Sequence, residues 1–267
     1  MPRIVQPHVF TLLAFNVELA LVRDQIKRSQ HSADTAGIFR LQFWRDALSA
    51  IYGRTNGVVP RQPVATALQL FGSEKDLEPL YGLVEARQQT LGDRPFESVA
   101  ALESYAERTS GALLLVVMNA LARSNQEVIT TDMEAAARAM GKSIGVMNHL
   151  RSTVPLLHRG VVLLPKDLME IHGLSADGVY SNKSPDAIRN LSIDLAKVSS
   201  KWLRESRQLV PCMSRTTSLA LMSGGASVDH ALKVLVKANY NLFEAQLQRE
   251  PDLLLLKLLW KKLRGLY

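Results

Sequence analysis

Apolar residues recur every three to four positions along most of the chain, and the alternation typical of β-strands is nearly absent. Between residues 8 and 28 they form the face of a first helix, made of Val9, Leu12, Leu13, Val17, Leu19, Ala20 and Val22. The same spacing predicts further helices over Ala36–Tyr52, Val64–Phe71, Ser73–Thr90, Val99–Arg123, Thr131–Leu150, Lys166–His172, Ser184–Leu209 and Asp252–Leu263. The predicted fold is therefore an all-α bundle of about ten helices.

Glycine and proline interrupt this pattern at a few places. Gly53–Gly57 predicts a turn, and residues 151–165 are predicted to be irregular up to Pro165. Pro211 and the pair Gly224-Gly225 are expected to divide the following region into short helices. Since no repeat, low-complexity stretch or shift in composition marks a boundary, residues 1–267 are predicted to form a single domain.

Composition and charge narrow the function classes only partly. Lys and Arg number 32 against 25 Asp and Glu, and this net charge of +7 favours an anionic partner such as nucleic acid, acidic lipid, a diphosphate or an acidic protein. The single cysteine, Cys212, excludes an internal disulfide. The histidines do not have the spacing of a zinc site, so neither a metal nor a cofactor is predicted. No uninterrupted apolar run reaches the roughly 18 residues of a membrane span.

Several short segments, in order along the chain, resemble the squalene/phytoene synthase family. They are Ala14–Ala20, Arg40–Leu48 with Ile51-Tyr52, Pro63–Ala65, Leu102–Ala106, and Gly141–Pro165 with its Gly141, Gly145, Asn148, Leu150-Arg151, Arg159-Gly160 and Leu163–Pro165. The resemblance extends over nearly the whole chain and implies the isoprenoid (prenyl) synthase fold, an all-α bundle around a central cavity.

One branch of that family matches better than its enzymes do. The sequences A-F-N-V-E-L-A at residues 14–20, R-L-Q-F-W-R-D-A-L at 40–48 and L-R-S-T at 150–153 are similar to the mitochondrial complex I assembly factors and their bacterial relatives. Members of that branch are generally regarded as lacking synthase activity. The resemblance implies a mitochondrial protein that acts without catalysis.

The family's enzymes carry two D-x-x-x-D motifs, whose carboxylates share a helix face and hold Mg²⁺ against a diphosphate. The first motif aligns with Ala20, Leu21 and Asp24, of which only Asp24 is acidic. Glu18 is close by but lies off the matching turn. This first motif is therefore expected to be vestigial.

The second motif aligns within residues 151–165. Ser152 and Leu156 occupy the positions of its aspartates, and Asn148 and Arg151 precede them. Because neither Ser152 nor Leu156 can supply a carboxylate, the motif is predicted to be vestigial and the protein not to be an enzyme.

The C-terminal residues 252–267 combine leucines and Trp260 with Lys257, Lys261, Lys262 and Arg264. A basic amphipathic helix of this kind can lie at a membrane interface, here the inner mitochondrial membrane. The alternative, which we favour on sequence alone, is a closing helix packed on the bundle with lysines reaching to solvent.

Three functions remain open at this point. The first is a non-catalytic mitochondrial assembly factor with protein partners in an assembly intermediate of respiratory complex I or another large complex, in the matrix or at the matrix face of the inner membrane. The second is a pseudoenzyme bound to a maturing mitochondrial ribosome or other RNA–protein assembly, which the basic charge permits. The third is a residual prenyl-diphosphate transferase or isoprenoid-lipid binder.

Overall fold

The computed structural model describes residues 1–25, 33–92, 94–249 and 254–264, without the side chains of residues 23–25, 33, 34, 212 and 264. Twelve α-helices and no β-strand occur in these ranges, so the all-α prediction is confirmed. The helices are α1 (Gln6–Gln25), α2 (Ala33–Ile51), α3 (Pro63–Phe71), α4 (Leu77–Gln89), α5 (Val99–Ala106), α6 (Ala112–Ser124), α7 (Thr131–Leu157), α8 (Lys166–Ile171), α9 (Ala176–Tyr180), α10 (Pro185–Leu209), α11 (Leu219–Lys237) and α12 (Leu254–Arg264). The predicted end of the first helix, residues 26–28, lies outside the described residues.

Polar residues fix the start of several helices. The Ser98 hydroxyl accepts a hydrogen bond from the Ala101 amide at 3.1 Å at the start of α5. Thr130 accepts one from the Met133 amide at 3.3 Å at the start of α7. Such side chains satisfy amide groups that have no partner inside the helix, and they limit where each helix can begin.

The core is organised around α7, which packs along α10 and against α5, α6 and α11. A large apolar cluster surrounds α7, and a second cluster joins α1, α2, α3 and α4. The second cluster includes Phe15 and Trp44, whose rings meet edge to face at 5.2 Å. Helix α6 connects the two, since Val116 belongs to the second cluster and Met118 to the first.

The helix predicted over Val99–Arg123 contains a π-helical turn, Glu107–Gly111, between α5 and α6. Gly111 lies on that turn directly against Gly141 of α7. A Cβ atom added to Gly141 would come within 2.2 Å of the Gly111 backbone. The two glycines therefore allow a backbone contact that brings the π turn next to α7.

The prediction that α7 ends at Leu150 is wrong, because the helix continues to Leu157 through Pro155. A proline has no N–H to bond the carbonyl four residues earlier, which here is that of Arg151. The side-chain amide of Gln248 donates to this carbonyl at 2.6 Å instead. A distant residue thus replaces the missing helical hydrogen bond, which the local sequence does not reveal.

The division expected at Gly224-Gly225 is also wrong, because α11 runs without interruption from Leu219 to Lys237. A Cβ atom on Gly224 would come within 2.3 Å of the Ile144 side chain on α7. Gly225 is buried. Gly224 therefore allows close packing between α11 and α7, and neither glycine forms a turn.

Residues 3–22 and α11 are long and apolar enough to cross a membrane by length and composition alone. About two-fifths of each stretch is buried in the bundle, at 39% in both cases. The core helices of folded domains pass the same test, so these two stretches are weak evidence for a membrane span.

Candidate functional site

A cavity of about 500 Å³ lies between α1, α4, the α5–π turn–α6 segment and α7. Its wall mixes apolar side chains with amides, hydroxyls and guanidinium groups. The residues that line it are Asn16, Ala20, Arg87, Thr90, Arg94, Phe96, Leu102, Tyr105, Thr109, Ser110, Leu113, Gly145, Asn148, His149, Ser152, Leu156, Arg159 and Leu163.

Helix α1 contributes Asn16 and Ala20 to the cavity wall, four residues apart on one helix face. Asp24 continues that spacing, but its side chain lies outside the described residues. Glu18 points elsewhere, into a groove between α1 and α2 that also contains Phe39 and Trp44. Of the described side chains aligned with the first motif, the one that lines the cavity is Ala20, which is neutral.

Helix α7 contributes Asn148, Ser152 and Leu156, again at intervals of four. The Ser152 hydroxyl donates to the His149 carbonyl at 2.8 Å, so it is engaged with its own helix. Arg151 lies on another face, where its Nε donates to the Leu247 carbonyl at 2.9 Å. Of the four residues predicted to belong to the second motif, Asn148, Ser152 and Leu156 thus line the cavity, whereas Arg151 contacts Leu247.

Helix α4 places Arg87 in the wall opposite. Its Nη2 donates to Asn16 Oδ1 at 2.8 Å, while its Nε is buried without a hydrogen-bond partner among the described residues. Burial lowers the pKa of the Arg87 guanidinium, but arginine stays charged in proteins. A buried donor on a cation makes this corner of the cavity suited to an acceptor group or an anion.

The charges on the wall are all of one sign among the described side chains. Arg87, Arg94 and Arg159 line the cavity, and none of the eighteen lining residues is Asp or Glu. Nor do the described residues contain a cluster of three His, Cys, Asp or Glu side chains that could hold a metal ion. Mg²⁺ requires oxygen ligands, chiefly carboxylates, so these residues do not fit a magnesium–diphosphate site.

Sequence reasoning missed Arg87, Arg94 and His149. The sequence does contain a sign of Arg87. The spacing of Leu80, Leu83 and Val84 along one helix face predicts an apolar residue at position 87, where an arginine stands instead. Such a charge within an apolar face often marks a buried polar site. His149, whose Nε2 lies 2.8 Å from the Leu163 carbonyl, left no comparable signal.

The site and the fold together define a class of proteins. The chain belongs to the squalene/phytoene synthase family, whose sequence profile matches residues 1–256. Among solved structures, a dehydrosqualene synthase in complex with ligand superposes with a TM-score of 0.76 at 20% identity, over 99% of this chain and 88% of that one. The predicted isoprenoid-synthase fold is confirmed.

Among individual proteins, the chain is similar to NADH dehydrogenase (ubiquinone) complex I, assembly factor 6. The Bos taurus protein is 30% identical over 258 residues, which cover 95% of this chain and 73% of the bovine protein. The Homo sapiens protein is 30% identical over 262 residues, covering 95% of this chain and 74% of the human protein. The predicted resemblance to the assembly-factor branch is confirmed.

Proposed function

We propose that this protein is a non-catalytic assembly factor that acts in mitochondria on respiratory complex I. The observation that carries the proposal is the cavity wall, whose lining residues include Ser152 and Leu156 and no Asp or Glu. The names of relatives that are 30% identical over nearly the whole chain supply the biological context. We place the protein in the matrix or at the matrix face of the inner membrane.

The chemistry supports a role without catalysis. Ionising a prenyl diphosphate leaves charge on the departing diphosphate, which Mg²⁺ neutralises in a site built by carboxylates. Arginines can pair with phosphate oxygens, but a guanidinium has only donors and cannot coordinate a metal ion. Asp24, four residues beyond Ala20, could supply one carboxylate at most.

The surface of α1 supports a role in binding another protein. Besides its buried face, α1 has a second apolar face, on which Phe10 is 58% exposed and Val17 53% exposed, with Leu13 and Leu21 on the same side. Spacings of three and four residues align these side chains along one stripe. A continuous exposed apolar stripe on a folded domain commonly marks an interaction site, and a complex I subunit or intermediate is the partner we propose.

The proposal is tested by purifying the tagged protein from mitochondria and identifying what comes with it in stoichiometric amounts. Complex I subunits are expected with the wild-type chain, and their yield is expected to fall at least about tenfold for Phe10→Ser/Val17→Ser, since the loss of two buried apolar contacts exceeds 1.4 kcal/mol. Val58→Ser, at a loop residue that is 92% exposed, is the matched control.

Three results would contradict the proposal. Normal complex I assembly after deletion of the gene would remove the assembly role. Stoichiometric ribosomal precursors in place of complex I subunits would favour the RNA–protein alternative. Turnover of prenyl diphosphates in the presence of Mg²⁺ would show that the protein is an enzyme after all.

A further inference from the structure

Helix α12 has an apolar face that the described part of the bundle does not cover. Its large exposed side chains are Leu255 (77%), Leu256 (59%), Leu259 (56%), Trp260 (55%) and Leu263 (78%). At about 100° per residue, these five positions fall within an arc of about 140°. They form a single stripe along the whole length of the helix.

The opposite side of α12 attaches it to the bundle. Leu254 and Leu258 are half-buried on that side, and Lys261 Nζ lies 3.6 Å from Asp229 Oδ2 on α11. The Asp229 carboxylate also accepts two hydrogen bonds from Arg207, from Nη2 to Oδ2 at 2.6 Å and from Nη1 to Oδ1 at 3.0 Å. The closing-helix arrangement favoured from the sequence therefore accounts for one side of α12 only, and the apolar stripe faces away from the bundle.

Cations border the stripe on both edges. Lys262 falls next to Leu255 on the helical wheel and Lys257 falls beyond Trp260, and both lysines are exposed. The sequence of α12 contains no acidic residue. The positive surface continues onto the bundle, because exposed Arg215 lies with Lys261 and Lys262 around a neighbouring groove of about 780 Å³.

We infer that α12 is a membrane anchor that lies in the plane of an anionic lipid surface. Its leucines and Trp260 would enter the acyl boundary while Lys257, Lys262 and Arg215 contact headgroup phosphates. The described part of α12 has 11 residues and is about 16 Å long, about half the thickness of a hydrocarbon core. Basic residues on both edges of an apolar stripe match a lipid headgroup layer, whereas a protein groove would need an acidic rim on each side.

The inference does not depend on the proposed function, because vesicle binding needs no partner protein. The full chain is mixed with vesicles of phosphatidylcholine containing about 30 mol% phosphatidylglycerol, and bound protein is measured by sedimentation. We expect binding to these vesicles, little binding to phosphatidylcholine alone, and weaker binding as salt rises.

Two double variants separate the apolar from the electrostatic contribution to vesicle binding. Leu255→Ser/Leu259→Ser and Lys257→Gln/Lys262→Gln are each expected to weaken binding roughly tenfold or more. The controls are Leu70→Ser, at a leucine that is 70% exposed on α3, and Lys75→Gln, at an exposed lysine before α4. Both controls are expected to bind as the wild type does, and thermal melts verify that all variants fold.

Three outcomes would overturn the inference. The first is a wild-type chain that stays in the supernatant with anionic vesicles. The second is binding that the α12 variants retain in full, which would point to another surface. The third is α12 variants that still bind vesicles but no longer co-purify with complex I subunits, which would make the stripe a protein-docking face.

Discussion

At the scale of single residues, glycines allow the helices of the cavity wall to pack closely against one another. Gly141 meets Gly111 backbone to backbone, and Gly145 lies against Ala106, where an added Cβ would come within 2.3 Å of the alanine Cβ. Gly145 also lines the cavity. These small residues set the distance between α7 and the α5–π turn–α6 segment, and therefore the width of the cavity.

Replacing Gly141 by alanine is expected to destabilise the protein by at least about 2 kcal/mol, because the new methyl group collides with backbone atoms that cannot rotate away. Urea unfolding followed by circular dichroism measures the change. The matched control is Gly82→Ala on α4, where an added Cβ meets nothing within 4 Å. A helix-interior alanine there should stabilise by roughly 0.5–1 kcal/mol. Equal effects at the two sites would contradict the packing argument.

The residues aligned with the second motif show what sequence order can and cannot predict about a site. Their order after Leu150-Arg151 aligns Ser152 and Leu156 with the motif's aspartates, which stays a prediction, and both side chains line the cavity. Arg151 was grouped with them, yet it contacts Leu247 on another helix face. Neighbours in sequence separate by about 100° around a helix, so the group could be divided only once residues 151–157 were known to be helical.

At the scale of elements, a buried polar network ties α1 to the N-terminus of α4 and to α6. His8 Nε2 lies 2.7 Å from Asp76 Oδ2, and His8 Nδ1 lies 2.7 Å from Arg123 Nη2. Because a guanidinium can only donate, Nδ1 accepts and the Nε2 hydrogen goes to the carboxylate. Asp76 is fully buried, and its Oδ2 also accepts from the Ser73 amide at 2.8 Å. Burial and Asp76 raise the pKa of nearby Tyr52, so its hydroxyl stays neutral.

His8→Ala is expected to cost roughly 2–4 kcal/mol, since it leaves a buried carboxylate with one donor fewer. The measurement is the shift of the urea midpoint at constant slope. His158→Ala, at an exposed histidine after α7, should change stability by less than about 0.5 kcal/mol. A small effect of the His8 variant would show that water replaces the lost donor.

Elements with strong periodicity were predicted well, and the errors share one physical cause. Helices α3 and α10 begin and end close to their predicted bounds, because apolar spacing and a proline in the first turn are local signals. The extension of α7 through Pro155 and the continuity of α11 through Gly224 depend on partners elsewhere in the chain, namely Gln248 and Ile144. Local sequence patterns do not predict contacts between residues so far apart in the chain.

At the scale of the whole molecule, positive charge lies on two separate surfaces, one beside α12 and one in the cavity wall. Composition gives the net charge of +7 but does not show where on the surface the positive charges lie. The structure concentrates part of it on α12 and Arg215, and another part on the arginines that line the cavity. Which side of α12 faces outward was decided by its packing on α11, which periodicity alone left open.

The hydrogen bond from Gln248 to the Arg151 carbonyl has a consequence for the order of folding during synthesis. The Arg151 carbonyl, in the last turns of α7 with Ser152 and Leu156, lacks this hydrogen-bond donor until Gln248 has been synthesised, 97 residues later. We expect these turns to form late, after most of the bundle has assembled on the emerging chain. In a chain ending before Gln248, the amides of residues 152–154, 156 and 157 should exchange with deuterium faster than those of residues 136–147. Equal protection of both segments would show that α7 is finished without its C-terminal partner.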